Sequence, residues 1–141
     1  IITAWDSKIA YNFWRPLTAI RLGNDDTNPW TIGDPDWQPL INTPNYSDYT
    51  SGANAVSGAA TRALALFFGG DKMNFTVTTT NPGAIQQTRA FSRFSDAAEE
   101  VFLARILEGI HFRFADAEGR KQGRHVAQWA FSHYLRPLCD D

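Results

Sequence analysis

Three short stretches of the chain carry groups suited to holding a small, highly charged oxyanion. Lys8 and Arg15 lie in KIAYNFWRP, Ser51 and Gly52 in YTSGAN, and Arg105 and His111 in RILEGIH. Each arginine can offer a bidentate fork, while a lysine supplies a compact point charge. Ser51 opens a run predicted to be helical, where free backbone N–H groups and the helix dipole both favour an anion. His111 adds an imidazole that, when neutral, can attack phosphorus or coordinate a metal. A partner on its other ring nitrogen is expected, and nothing in the sequence reveals it. Taken singly, each residue has a plainer role. Lys8 and Arg15 suit a solvated surface, Ser51 a helix cap, Arg105 an ion pair with Glu108, and His111 a core. Their joint order and spacing favour one shared oxyanion site.

K-x6-R-P, then S-G, then R-x5-H resembles the three-part signature of the vanadium-dependent haloperoxidases and the related type 2 phosphatidic acid phosphatases. The resemblance implies that Lys8, Arg15, Ser51, Gly52 and Arg105 bind the oxygens of vanadate, with phosphate or sulfate fitting the same site. It implies that His111 is the vanadium ligand, or the nucleophile of a phosphatase, and that Lys8 polarises a bound oxygen. Trp5 and Tyr46 match aromatic positions of the halide and substrate pocket in the chloroperoxidase branch. One departure is serious. The signature reads Pro-Ser-Gly-His, and here it reads Thr50-Ser51-Gly52-Ala53. The missing histidine is the family's general acid/base, and loss of such a group costs about 10²–10⁴ in rate. Asn54 can hydrogen-bond but cannot titrate. Ala104 also replaces the serine that opens the last motif.

Composition narrows the classes. The chain has 141 residues, the size of one domain, and a net charge of −2, which gives no electrostatic footprint for nucleic acid. The first motif begins almost at once, so residues 1–141 are expected to be a single domain from the C-terminal portion of a larger helical-bundle protein. Homo-oligomerisation or association with the missing segments would then complete the bundle. Cys139 is the only cysteine, so no intrachain disulfide can form. No apolar run approaches the roughly 20 residues of a membrane span, which favours the soluble branch. The sequons at Asn45 and Asn74 lend faint support to secretion; the compartment is otherwise open. His125 and His133 are too far apart on a helix to share a metal, and no Cys/His cluster suggests zinc.

The elements that must position these groups are mostly helical. Thr3 to Trp14 reads as a helix stopped by Pro16, and Leu17 to Leu22 as a short continuation closing at Gly23. Residues 24–48 form a long loop rich in Pro, Asp and Asn. Its Trp30 and Trp37 are expected to pin it to the core, with ligand stacking as the alternative. Ser51 caps the clearest helix, which runs to Gly69-Gly70. Phe75 to Thr79 is extended, as a lone strand or hairpin arm. Ser95 is expected to cap a helix through about Gly109. Arg105 and His111 would stand about 240° apart on a continuous helix, so both can face one ligand only if the helix ends near Gly109. A last helix is predicted from Asp116 to Leu135, with Val126, Trp129, Ala130 and Tyr134 on one side and Arg136-Pro137 as its stop. The expected fold is therefore mostly α: a truncated helical bundle of the vanadium haloperoxidase/acid phosphatase type, with a long loop and at most a short β-hairpin.

Three functions are compatible with these residues. A haloperoxidase would oxidise halide with hydrogen peroxide on histidine-bound vanadate. An acid phosphatase would work through a phosphohistidine at His111. A catalytically impaired anion- or carbohydrate-binding module, lectin-like, would use the aromatic loop from Trp30 to Trp37. Trp5 and Tyr46 favour the first; Ala53 counts against turnover in either enzyme.

Overall fold

The computed structural model describes residues 1–134. It is mostly helical, with helix α1 (Ile2–Tyr11), α2 (Pro16–Arg21), a single 3₁₀ turn at Gly23–Asp25, α3 (Gly52–Phe67), α4 (Phe94–Leu107) and α5 (Arg113–His133). Strands β1 (Lys72–Thr78) and β2 (Thr88–Arg93) form an antiparallel hairpin between α3 and α4.

α3 packs mainly on α5, and small residues set the distance. A Cβ added at Gly123 would lie 2.0 Å from the Ala55 carbonyl oxygen, one at Gly119 2.5 Å from that of Ser51, and one at Gly58 2.5 Å from that of Arg120. The two backbones touch, and no larger residue fits at these positions. This contact sets the buried face of the last helix. Its buried stripe is Ala115, Asp116, Gly119, Gly123 and Ala127, whereas Val126, Trp129 and Tyr134 are exposed. Side-chain hydrophobicity misleads here because close backbone approach selects Gly and Ala. The predicted end at Leu135, the Arg136-Pro137 stop and Cys139 lie outside the described residues.

α4 ends as the positions of Arg105 and His111 require. Leu107 is its last residue and Gly109 takes φ +77°, the left-handed conformation in which glycine carries no Cβ penalty. Its start differs from expectation. Ser95 lies inside the helix, and Asp71 receives its backbone N–H at 2.9 Å and its hydroxyl at 2.6 Å. Asp71 thereby ties the base of the hairpin to α4. The hairpin's Phe75 stacks on Phe91 and meets the buried Phe94, each at 5.4 Å.

The long loop is held at a few points. Trp37 packs against Gly109, and its carbonyl accepts from Arg21; Leu40 donates to the Glu108 carbonyl. Trp30, by contrast, is 89% exposed and does not pin the loop. The buried set has an unusual make-up. Among the described residues it holds eight polar or charged side chains (Lys8, Arg15, Asp48, Thr50, Ser51, Asn54, His111, Asp116) beside apolar ones of which only Phe94, Phe102 and Ile110 are large. Buried ionisable groups are rare without pairing, so the interior of this domain is built around a polar cluster.

Candidate functional site

α1 delivers Lys8 on its last turn. The ammonium donates to the Ser47 carbonyl at 2.6 Å and the Asp48 carbonyl at 3.0 Å, which draws residues 47–48 against the helix. Burial, followed by the charge of Arg15, lowers the Lys8 pKa to about 8, while Asp48 and Asp116 act in the opposite sense.

Arg15 stands at the N-cap of α2, where Pro16 sets the first helical residue. The guanidinium turns inward and is nearly fully buried. Nε donates to the Tyr46 carbonyl at 2.8 Å, and Nη1 donates to the Ile110 carbonyl at 2.7 Å. The same Nη1 lies 3.1 Å from His111 Nε2. Groups 96 residues apart in the chain therefore meet. Burial is the main cause that lowers the proton affinity of Arg15, and Asp48 resists it.

His111 sits just beyond the left-handed Gly109, on the turn between α4 and α5. Its Nδ1 is 2.6 Å from Asp48 Oδ1. Asp48 also lies 3.6 Å from Arg15 Nη1 and accepts from the Phe112 backbone N–H. With the Asp48 carboxylate beside Nδ1, Nε2 is the acceptor nitrogen, and in this structure it faces the Arg15 Nη1 donor. Asp48 is thus the orienting partner that the sequence did not reveal. Its only sequence signal is its position three residues before Ser51.

Ser51 caps α3 as predicted, its hydroxyl accepting from the Asn54 N–H. The Asn54 side-chain amide donates to Asp116 Oδ1 at 2.6 Å and to the Ser51 hydroxyl at 3.3 Å. Asp116 is a second residue that sequence reading missed. It is fully buried, and burial raises its pKa above the ordinary carboxylate range against the pull of Ser51, His111 and Asn54. Gly52, the first residue of α3, faces open space: a Cβ there would meet nothing within 4 Å.

Arg105 is on the last turn of α4. It pairs with Glu108 at 3.1 Å, as its plainer reading has it, yet its charge is felt at Arg15. Trp5 and Tyr46 form an edge-on pair at 5.2 Å beside the cations, with Lys8 and Arg15 at 5.0 and 4.9 Å from the Tyr46 ring. Lys8, Arg15, Tyr46 and His111 thus meet around Asp48, Trp5 packs on Tyr46, Ser51 joins Asn54 at the start of α3, and the charge of Arg105 reaches Arg15. Among the described residues, no three His, Cys, Asp or Glu side chains could hold a metal ion between them.

Known proteins share this arrangement of elements. The chain is 26% identical over 163 aligned positions to the vanadium chloroperoxidase of Curvularia inaequalis, covering 84% of this chain and 26% of that protein. A crystal structure of a bacterial vanadium-dependent iodoperoxidase superposes with a TM-score of 0.77 at 37% identity, over 93% of this chain and 29% of the other. A holo-type bacterial vanadium-dependent chloroperoxidase gives 0.72 at 18% identity, over 92% and 32%. This chain therefore spans about a quarter to a third of the length of these relatives. Residues 1–139 match the vanadium chloroperoxidase (VCPO) second helical-bundle domain, and the chain belongs to that family.

Proposed function

We propose that this chain supplies the vanadate-holding part of a haloperoxidase-type site, and that the whole protein oxidises halide with hydrogen peroxide. The contact between Arg15 Nη1 and His111 Nε2, with Asp48 on the opposite ring nitrogen, carries this reading. The residues fit the anion. Arg15 Nη2 and Arg105 Nε are buried and have no hydrogen-bond partner among the described residues, a costly state for a charged donor. An oxyanion would supply acceptors to both. Gly52 leaves room for it at the start of α3, where the N–H groups point.

When bound, vanadate supplies a Lewis-acid centre at which peroxide becomes reactive toward halide. The chain's own residues do the rest. With Asp48 beside Nδ1, His111 would offer Nε2 once Arg15 turns its donors to the anion. Arg15, Arg105 and Lys8 neutralise the anion's charge. Trp5 and Tyr46 present an aromatic wall beside the cations. Ala53 leaves that position without a titratable side chain, so slow turnover with retained anion binding is expected.

The test is thermal. Orthovanadate at 100 times its Kd should stabilise the intact protein by about 2.7 kcal/mol, and His111→Ala should abolish the shift. Oxidation of iodide that needs both vanadate and peroxide would extend the result to activity. A melting temperature indifferent to vanadate would sink the proposal.

A further inference from the structure

The buried cluster contains more acid than an anion site tolerates. Lys8 and Arg15 bring two positive charges, and Asp48 and Asp116, both fully buried, bring two carboxyl groups. With both carboxyls ionised the four groups sum to zero, Arg105 is offset by Glu108, and an incoming anion would meet no net positive charge. The two acids are not equivalent. Asp48 lies beside the Arg15 guanidinium and His111 Nδ1 and accepts from the Phe112 backbone N–H. Asp116 has no ion pair among the described residues. Its hydrogen-bond donor is the neutral Asn54 amide, and its Oδ2 is buried without a hydrogen-bond partner. α5 presses this carboxyl onto the cap of α3, since the Ser51 N–H donates to the Ala115 carbonyl.

We propose that Asp116 holds a proton whenever the oxyanion binds, so that one anion and one proton enter the site together. This rests on the proposed vanadate site. With Asp116 neutral, Lys8, Arg15 and Asp48 leave one surplus positive charge for the anion. The coupling is reciprocal: a bound anion holds the proton on Asp116, and loss of that proton expels the anion. The burial that favours neutral Asp116 acts in the same direction. The charged or titratable groups felt at Asp116 are Lys8 from α1, Asp48 from the loop before α3, and His111 from the turn before α5.

Orthovanadate affinity, measured across pH for the intact protein and for Asp116→Asn, tests the coupling. The amide keeps the size of the side chain and cannot ionise. The ratio of wild-type to variant affinity cancels the titration of vanadate itself, and measurements kept well below pH 8 keep Lys8 charged. It should fall by up to about tenfold per pH unit once Asp116 ionises in the free protein. A ratio that stays flat while both proteins bind overturns this inference alone. Failure of the folded wild type to bind at any pH overturns the vanadate site with it. Should Asp116→Asn not fold, calorimetry of the wild type in buffers of different ionisation enthalpy decides. Uptake of one proton per anion above the titration of Asp116, after subtraction of vanadate's own protonation, supports the coupling, and zero uptake overturns it.

Discussion

Asp48 does more at the centre of this domain than any residue named by the motifs. It orients His111, faces Arg15 and accepts from the Phe112 N–H. Asp48→Asn keeps the shape but leaves the buried guanidinium without its counter-charge, and removing one partner of such a pair costs about 3–5 kcal/mol. Urea unfolding should show that loss, and a change below 1 kcal/mol (about the value of an exposed pair) would deny Asp48 its role. Lys8 makes a different, pH-dependent contribution. Its pKa is about 8 in the folded chain against the ordinary 10.5. Between those values the unfolded chain holds a proton that the folded chain has released, so raising the pH through this window stabilises the fold. Below about 8 the cost of burying the ammonium is felt in full. Wild-type stability should therefore rise relative to Lys8→Met across the window, while vanadate affinity falls as the ammonium is lost. Parallel stability curves for the two proteins would show that Lys8 is not held charged in a buried site.

At the scale of elements, the α3–α5 contact fixes where Ser51 and the start of α3 lie, and two glycines separate structure from binding. Gly119→Ala drives a methyl into the Ser51 carbonyl, so it should cost about 1–3 kcal/mol and weaken vanadate binding together. Gly52→Ala meets no atom within 4 Å and should leave stability nearly unchanged while its methyl narrows the space beside the α3 N–H groups. Equal effects of the two variants on both measurements would refute this division. The same contrast explains what was legible in the sequence. The end of α4 could be read, because two residues six apart can face one ligand only past a break and Gly109 supplies it. Ser51 as a cap could be read from the run that follows it. The buried face of α5 could not, since Gly119 and Gly123 carry no hydrophobic signal and are chosen for backbone approach. Asp48 and Asp116 escaped for a related reason: a lone carboxyl in a sequence says nothing about burial. Strand β2 (Thr88–Arg93) was hidden by polar and basic residues on an exposed hairpin, and only its pairing with β1 reveals it.

The whole molecule places polar groups within and many large apolar groups without. Ile2, Ile9, Phe67, Leu107 and Trp129 are all more than half exposed, and no described helix is long and apolar enough to cross a membrane. Burying one large apolar side chain contributes about 1.5–3 kcal/mol. The three large residues in the core therefore contribute little against the conformational entropy of the chain. On the outer side of α5, Trp129 stacks on His133 and meets Tyr134 at 5.4 Å, an aromatic surface facing solvent. Surfaces of this kind are normally covered in a folded protein, and the relatives of this chain are three to four times its length. Residues 1–141 prepared alone should accordingly be marginally stable, bind an apolar dye, and self-associate, with a melting temperature that rises with protein concentration because association stabilises by mass action. Sedimentation across a range of concentrations checks this, and Trp129→Glu should shift the distribution toward monomer. A monodisperse monomer with a sharp, concentration-independent melt would show instead that the polar cluster, through the Asp48, Arg15 and His111 contacts, is enough to hold these elements together.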